Sequence, residues 1–152
     1  MRMKKIAKCA ALGIAALGIL ASTGCGEQTA KGDKTYKVGI VQLVEHSSLD
    51  DANRGFVDGL KERGYEEGKN LTIDRQNAQA DQSNLQNIVQ RFISDKVNLI
   101  CAIATPAVQS AANATKDIPI VGTAVTDYVS AKVVKSNDAP GGNVTGTSDL
   151  TP

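Results

Sequence analysis

Short apolar runs alternate with amphipathic segments along most of this 152-residue chain, and that alternation restricts its fold more than any other feature. The run Lys37–Val44 is almost continuously apolar, which is typical of a strand buried on both faces. Leu49–Arg63 follows with apolar residues three and four positions apart, which predicts a helix. The same alternation predicts strands at Leu71–Arg75, Val97–Ala104, Ile118–Val125 and Asn143–Ser148, helices after Asp81 and from Thr105, and one or more helical turns at Tyr128–Lys135. We therefore expect an α/β domain of three layers, with a parallel sheet between helices on both faces.

Residues that suit a helix start precede each predicted helix. Ser48 is placed to cap the first helix, which Gly64 ends, and Asp81 is placed to cap the second. Thr105 followed by Pro106 predicts a third helix, with Thr as the N-cap and Pro at the first helical position.

The N-terminus has the three-part layout of a secretory signal peptide. Its first 24 residues contain four basic side chains and no acidic one, and residues 10–21 form an apolar run. This run is shorter than the roughly 20 residues that span a bilayer. Small residues then lead to Cys25. We predict a signal peptide at residues 1–24 and a flexible tether at residues 25–35.

The residues Ser22, Thr23 and Gly24 before Cys25 resemble a bacterial lipobox. The resemblance implies that the Cys25 thiol is acylated, that cleavage leaves it as the first residue, and that lipid chains anchor the protein to the extracytoplasmic face of the cell membrane. Ser22 departs from the motif, which usually has Leu at this position. An ordinary cleaved signal and an uncleaved anchor are the alternatives.

Charge and cysteine content exclude further classes of partner and structure. After residue 24 the chain has 13 basic and 16 acidic side chains, a net charge of −3, and no basic cluster, which argues against nucleic acid as a partner. Cys101 is the one cysteine that would accompany Cys25 in the mature chain, so no intrachain disulfide is expected. Its place in an apolar run predicts a buried core residue.

Ligands of open parallel sheets bind beyond the carboxyl ends of the strands, and three predicted loops lie at such ends. Glu45 and His46 follow the first strand. Each either hydrogen-bonds a ligand, with Glu45 suited to an ammonium group, or is an ordinary exposed side chain. Thr105, Pro106 and Ala107 follow the third strand. Thr105 either only caps its helix, or caps it beside N–H groups that bind a carboxylate.

The third loop contains Thr126, Asp127 and Tyr128. Asp127 either contacts an ammonium group or caps the turn at Tyr128. Tyr128 either stacks on an apolar ligand or packs on its own domain. The sequence favours neither alternative for Asp127.

No set of residues predicts an enzyme, a metal site or a cofactor. The chain has one His and no Cys partner for it, and paired Cys-x-x-Cys spacings are absent. The glycines do not have the spacing of a phosphate-binding loop. Asp50 and Asp51 are adjacent acids at a predicted helix start, where the helix dipole explains them better than acid–base chemistry does.

Several separate segments, in the same order, resemble the ABC-transporter substrate-binding lipoproteins that include tryptophan- and tyrosine-binding members. They are Tyr36–Asp51, Gly55–Asn70, Gln76–Gln79, Ala102–Pro106, Asp117–Ile120 and Pro140–Gly146. The resemblance implies a type I periplasmic-binding-protein fold, in which two α/β lobes close on a small solute, with an aromatic amino acid favoured, and deliver it to an ABC permease. It places the three loops on the cleft side of the first lobe, and Thr147–Asp149 at the crossover to the second.

Three departures from that family affect the expectation. Tyr128 stands where Pro is expected in many relatives, and Ala107 stands where Ser is common. Residues 36–152 correspond to the first lobe, and the second is absent from the chain. Because capture relies on closure of two lobes, we expect weak binding by this chain alone. A lipid-anchored sensor or interaction module with the same fold, and a non-functional truncated fragment, are the alternative functions.

Overall fold

The computed structural model describes residues 34–149, which form a five-stranded parallel sheet and three helices. In chain order the elements are β1 Tyr36–Gln42, α1 Ser47–Glu62, β2 Leu71–Asn77, α2 Gln82–Ser94, β3 Leu99–Ile103, α3 Thr105–Ala114, β4 Ile120–Val125 and β5 Val144–Ser148. The strand order across the sheet is β2-β1-β3-β4-β5, and every neighbouring pair is parallel. The alternation predicted from the sequence is confirmed.

The sheet has its topological switch point between β1 and β3. From β1 the chain passes to β2 on one side, and then crosses back to β3 on the other side of β1. These two central strands are nearly all buried, which explains their continuous apolar sequences. In open α/β sheets a crevice for ligands lies beyond the carboxyl ends of the strands at such a point.

Helices cover both faces of the sheet, as the sequence predicts. On one face, α1 packs its residues Leu49, Phe56 and Leu60 against a core that includes Ile40 and Cys101. Cys101 is completely buried, as expected, and burial raises the pKa of its thiol to about 12.

On the opposite face, α2 and α3 bury Val89, Phe92 and Val108 against the other side of the sheet. Phe92 lies directly over Gly39, where a Cβ atom would be only 2.6 Å from the Phe92 ring. Burial of one such aromatic side chain contributes about 1.5–3 kcal/mol to stability.

The helix caps confirm one prediction and correct two. The Asp81 carboxylate accepts a hydrogen bond from the backbone N–H of Asn84 at 2.7 Å, so Asp81 caps α2 as predicted. Ser48 does not cap α1, because the helix starts at Ser47 and His46 is its N-cap. Thr105 does not cap α3 either; it is the first helical residue, and Ala104 is the N-cap.

The segment Tyr128–Lys135 contains turns rather than a regular helix. Its backbone bonds have mixed spacings, with Ala131 N–H donating to Asp127 O and Val133 N–H donating to Tyr128 O. Lys132 has a positive φ of 59°, a conformation that interrupts a right-handed helix. The expected helical turn therefore does not continue.

The predictions for residues 1–24, for most of the 25–35 tether and for Cys25 lie outside the described residues. Within residues 34–149, no helix has the length and apolar character needed to cross a membrane. The described residues belong to one compact unit.

Candidate ligand-binding edge of the sheet

All three loops predicted as ligand-binding lie at one edge of the sheet. Because every strand runs in the same direction, the carboxyl ends of β1, β3 and β4 meet at this edge. β1 and β3 are adjacent, so the loops that follow them flank the switch point. We call this edge, formed by residues 43–46, 104–107 and 126–128, the carboxyl edge.

A buried glutamine fixes the loop after β1. Gln42 is only 4% exposed, and its Nε2 group donates to Val44 O at 2.9 Å and to Asp50 Oδ1 at 2.6 Å. Its Oε1 atom accepts from Asn53 Nδ2 at 3.2 Å. These bonds tie the end of β1 to the first two turns of α1. The sequence analysis missed Gln42, although a single polar residue near the end of an apolar strand is a signal that it contained.

Glu45 and His46 are both exposed at the carboxyl edge. The Nδ1 atom of His46 accepts a hydrogen bond from Ser48 N–H at 3.3 Å. An acceptor at Nδ1 requires the neutral ring with its proton on Nε2. Capping of α1 therefore fixes the His46 ring while leaving its Nε2–H group for other contacts.

The start of α3 is built on a strained residue. Ala104 has φ 86° and ψ 154°, a region that only glycine adopts without strain. Thr105, as the first helical residue, has a backbone N–H with no partner inside the helix. Pro106 has no N–H, and Ala107 N–H donates to Ala104 O at 3.1 Å. The helix start thus offers the N–H and the half-buried hydroxyl of Thr105, whereas the Ala107 side chain is completely buried.

The loop after β4 is also anchored. The ladder between β4 and β5 shifts register beyond Gly122, and Ala124 in this bulge has φ 54°. Asp127 Oδ1 accepts from Ser130 N–H at 2.6 Å, so Asp127 does cap the turn, with its second oxygen left at the half-exposed surface. Thr126 is exposed.

Tyr128 lies in the core of its own domain. Its side chain is 5% exposed, and its hydroxyl donates to Thr147 O at 3.1 Å. Burial raises the pKa of Tyr128 to about 12. The ring occupies space that Gly122 and Gly146 leave open on β4 and β5. The structure thus matches the packing alternative for Tyr128, not the stacking one.

Strained backbone is concentrated at this end of the sheet. Gln79 and Ala80 follow β2 with φ 55° and 58°, and Ala104 and Ala124 lie at the ends of β3 and β4. Non-glycine residues with positive φ cost roughly 1–3 kcal/mol each and cluster at functional sites. Ordinary alanines and a glutamine carry no sequence signal for this conformation, so the sequence analysis could not identify them.

Metal ligands do not gather in the part of the chain that the structure describes. Across residues 34–149, no three His, Cys, Asp or Glu side chains are grouped so that they could hold a metal ion. The polar groups of the carboxyl edge are instead hydrogen-bond donors and single carboxylates, which suit a small zwitterionic molecule.

Comparison with known proteins identifies close relatives. A family model described as ABC transporter substrate binding protein matches residues 37–152. A tyrosine-binding protein of Clostridioides difficile (strain R20291) is 49% identical in an alignment 159 residues long, which covers 98% of this chain and 46% of that protein. The chain therefore spans less than half the length of this relative.

Two solved structures have the same fold over the described domain. The ligand-free, open structure of CD0873, a substrate binding protein with adhesive properties from Clostridium difficile, aligns with a TM-score of 0.75 at 53% identity. An ABC domain in complex with L-Trp from Streptococcus pneumoniae aligns with a TM-score of 0.75 at 42% identity. The alignments cover 77% and 78% of this chain, respectively, and 40% of each structure.

Proposed function

The chain belongs to the ABC transporter substrate-binding protein family, and from this premise we propose that its carboxyl edge is one wall of a cleft that captures an aromatic amino acid for import. The observation that carries the proposal is the construction of this edge. The Gln42 hydrogen bonds fix the loop after β1, and strained alanines lie where β3 and β4 end, so three ordered loops meet at one edge of the sheet, two of them at the switch point. Relatives named for tyrosine binding, or solved with L-Trp, support the choice of solute.

The start of α3 is suited to the carboxylate of an amino acid. The Thr105 N–H points out of the helix end, where the helix dipole favours negative charge. The Thr105 hydroxyl lies at the same position. Because Pro106 removes the next backbone donor, we expect Thr105 to make the main contact from this helix to the carboxylate.

The ammonium group of the same ligand needs a carboxylate partner. Glu45 is exposed beside the switch point, and Asp127 keeps one oxygen after capping its turn. Both are single carboxylates within the carboxyl edge, and either satisfies an ammonium group. The His46 Nε2–H group is a further donor at the loop after β1.

In this proposal the lobe formed by residues 34–149 supplies one wall of the cleft. Two-lobed binding proteins bury their ligand by closing around it, so a single wall makes only part of the contacts. We therefore expect weak binding by this chain. In the proposed function it does no catalysis, is held at the extracytoplasmic face of the membrane by lipid on Cys25, and delivers its solute to an ABC permease.

The test is calorimetric titration of the chain with L-tyrosine, L-tryptophan and L-phenylalanine, alongside thermal unfolding with the same solutes. Ligand that binds only the native state raises the melting temperature. Thr105→Val keeps the side-chain shape and removes the hydroxyl, so we expect it to weaken binding about tenfold or more, as for a hydrogen bond to a charged group.

Thr72→Val, at an exposed position near the start of β2 and far from the carboxyl edge, is the matched control and should bind like the unmodified chain. Glu45→Gln and Asp127→Asn identify the ammonium partner, because only the true partner loses affinity. A cooperative unfolding transition that none of the three amino acids moves would contradict capture by this chain.

A further inference from the structure

A groove of about 600 Å³ lies between α2 and α3, on the outer side of the helical layer. Its volume is within the range of small-ligand sites. No charged and no aromatic side chain lines it. Six uncharged amide side chains do so, namely Gln82, Gln86, Asn87 and Gln90 from α2 and Gln109 and Asn113 from α3. We call this the amide groove.

The amide groups of the groove are mostly unused by the protein. Among residues 34–149, only Gln109 of these six has a side-chain hydrogen bond, from its Nε2 to Ala131 O at 3.1 Å. Each free amide offers two N–H donors and one carbonyl acceptor. Because the carbonyl oxygen has two lone pairs, each amide can donate two hydrogen bonds and accept two, and the groove has no net charge.

A buried hydroxyl in the same groove also has no partner. Ser110 lines the groove and is 7% exposed, and its Oγ atom makes no hydrogen bond within the described residues. An unsatisfied buried hydroxyl is unfavourable, because it has lost its hydrogen bonds to water without a replacement. A serine in a helix ordinarily avoids this cost by bonding the carbonyl four residues earlier. A polar ligand group in the groove would satisfy it.

Three of the amides of α2 form a regular row. Gln82, Gln86 and Gln90 are four residues apart, so they form one row with a spacing of about 6 Å along the helix. An extended peptide repeats its backbone N–H and C=O groups on one side every two residues, about 6.6–6.8 Å. Flexible glutamine side chains absorb the small difference over two repeats.

We propose that the amide groove binds an extended, uncharged peptide segment through its backbone. The free amides of α2 pair with successive backbone N–H and C=O groups, the Asn113 amide pairs from the opposite wall, and Ser110 Oγ donates to one carbonyl. The lack of charge disfavours acidic or basic ligands. The lack of an aromatic side chain disfavours sugars, because neutral sugar rings gain little from this groove without a ring to pack on. The 10 residues of α3 extend about 15 Å, which gives room for about four extended residues.

The test is a two-dimensional NMR titration of the isotope-labelled chain with an acetylated and amidated tetra-alanine peptide. The end groups remove the ammonium and carboxylate that the carboxyl edge would need, so the result is independent of the proposed amino-acid site. The side-chain NH₂ signals of Gln86, Gln90 and Asn113 should shift saturably. Ser110→Ala and Gln90→Glu should each raise the dissociation constant about three- to tenfold.

Asn98→Asp is the matched control, since it adds the same charge on an exposed turn and keeps the oxygen that accepts from Lys37 N–H. Ser110→Ala removes an unsatisfied hydroxyl and introduces a good helix former, so it should stay folded. Unmoved NH₂ signals, or equal affinity in Ser110→Ala, would overturn the proposal. The proposal would also be overturned if maltotetraose shifted these signals instead, which would identify a saccharide as the occupant. Shifts produced by raising the protein concentration alone would identify a second copy of the chain as the occupant, with the same consequence.

Discussion

At the scale of single residues, Tyr128 shows how much one side chain depends on the absence of others. Its ring lies against Gly122 on β4 and its hydroxyl reaches Thr147 O on β5. A Cβ on Gly122 would lie 2.6 Å from the Tyr128 hydroxyl oxygen. A Cβ on Gly146 would clash with that hydroxyl and with the Gly122 carbonyl. Glycine is needed at these two positions because the Tyr128 side chain packs against them, not because the backbone turns there.

Gly146→Ala should therefore destabilise the domain. A Cβ forced against both a side chain and a backbone carbonyl costs about 1–3 kcal/mol or more, because the backbone cannot yield as a side-chain tip does. Urea unfolding at neutral pH measures the change. Gly59→Ala is the control, since it lies in the exposed face of α1 with nothing near its Cβ, and it should gain about 0.5–1 kcal/mol. Equal effects at the two positions would contradict the packing described for Tyr128.

Burial of Cys101 predicts a loss of stability in alkali. Burial raises the pKa of its thiol from 9.0 to about 12, so the unfolded chain loses this proton at a lower pH than the folded one does. The stabilisation is complete below pH 9 and is lost as the pH rises towards 12, at no more than about 1.4 kcal/mol per pH unit. Urea unfolding at pH 8, 9 and 10 follows it. Burial also raises the pKa of Tyr128 from 10.0 to about 12, so ionisation of this residue in the unfolded chain adds to the loss near pH 10.

Cys101→Ala supplies the comparison, because every other titrating group is common to both proteins. The variant loses stability at all pH values from the cavity it creates, but its curve should fall less steeply between pH 9 and 10. Parallel curves for the two proteins would show that the thiol does not contribute.

At the scale of elements, the sequence predicted the five strands and three helices but not how two of the helices begin, and the helical turn expected at Tyr128–Lys135 does not continue. The apolar periodicities of α1 and α2 and the apolar runs of β1 and β3 arise from burial, which the sequence displays directly. The sequence does not display the cap of α3. Ala104 adopts its strained conformation between the β3–β4 pairing and the start of the helix, and these are tertiary features that an alanine does not signal. Ser48 and Thr105 have the right chemistry for a cap, but each lies one or two residues inside its helix.

Gln42 is the residue that joins β1 to α1, and its replacement by glutamate should loosen both. Glutamate has the same shape, but it replaces the NH₂ donor to Val44 O and Asp50 with an oxygen that repels them. Loss of a buried, satisfied donor costs about 1–3 kcal/mol. Hydrogen exchange should quicken for the backbone of residues 44–50 more than for β4.

Gln42→Met has a similar size and no charge, so it separates repulsion from the loss of hydrogen bonds. Its free energy of unfolding in urea should lie between those of Gln42→Glu and the unmodified chain. If the Gln42→Glu variant unfolds at the same urea concentration as the unmodified chain, the Gln42 hydrogen bonds do not hold the loop after β1.

At the scale of the whole molecule, the described residues form one α/β lobe of the periplasmic-binding-protein type I fold. The resemblance seen in the sequence predicted this lobe and its family, and both are confirmed. The geometry of the carboxyl edge was less predictable, because it depends on strained backbone at Ala104 and Ala124 and on which way Tyr128 packs. Whether Glu45, His46, Thr105, Pro106, Ala107, Thr126 and Asp127 contact a ligand stays a prediction.

The prediction that concerns the largest scale is lipid attachment at Cys25. Metabolic labelling of a bacterial host with an alkyne fatty acid should label the chain, because acylation at a lipobox-like Cys is what the residues before Cys25 indicate. Cys25→Ser should abolish the label. Cys101→Ala should leave it unchanged, since that thiol is buried and stays protonated at neutral pH.

Fatty-acid incorporation distinguishes a lipidated Cys25 from an unlipidated one better than membrane association does. A Cys25→Ser chain that kept its apolar N-terminal run would still associate with membranes, although two acyl chains on Cys25 would anchor the unmodified protein far more firmly. Lipidation at Cys25 is contradicted if the label persists in Cys25→Ser or never appears in the unmodified chain. The run at residues 10–21 would then be part of an ordinary signal or an uncleaved anchor. Loss of label confined to Cys25→Ser would place the proposed cleft on a lipid tether at the membrane surface, within reach of a permease.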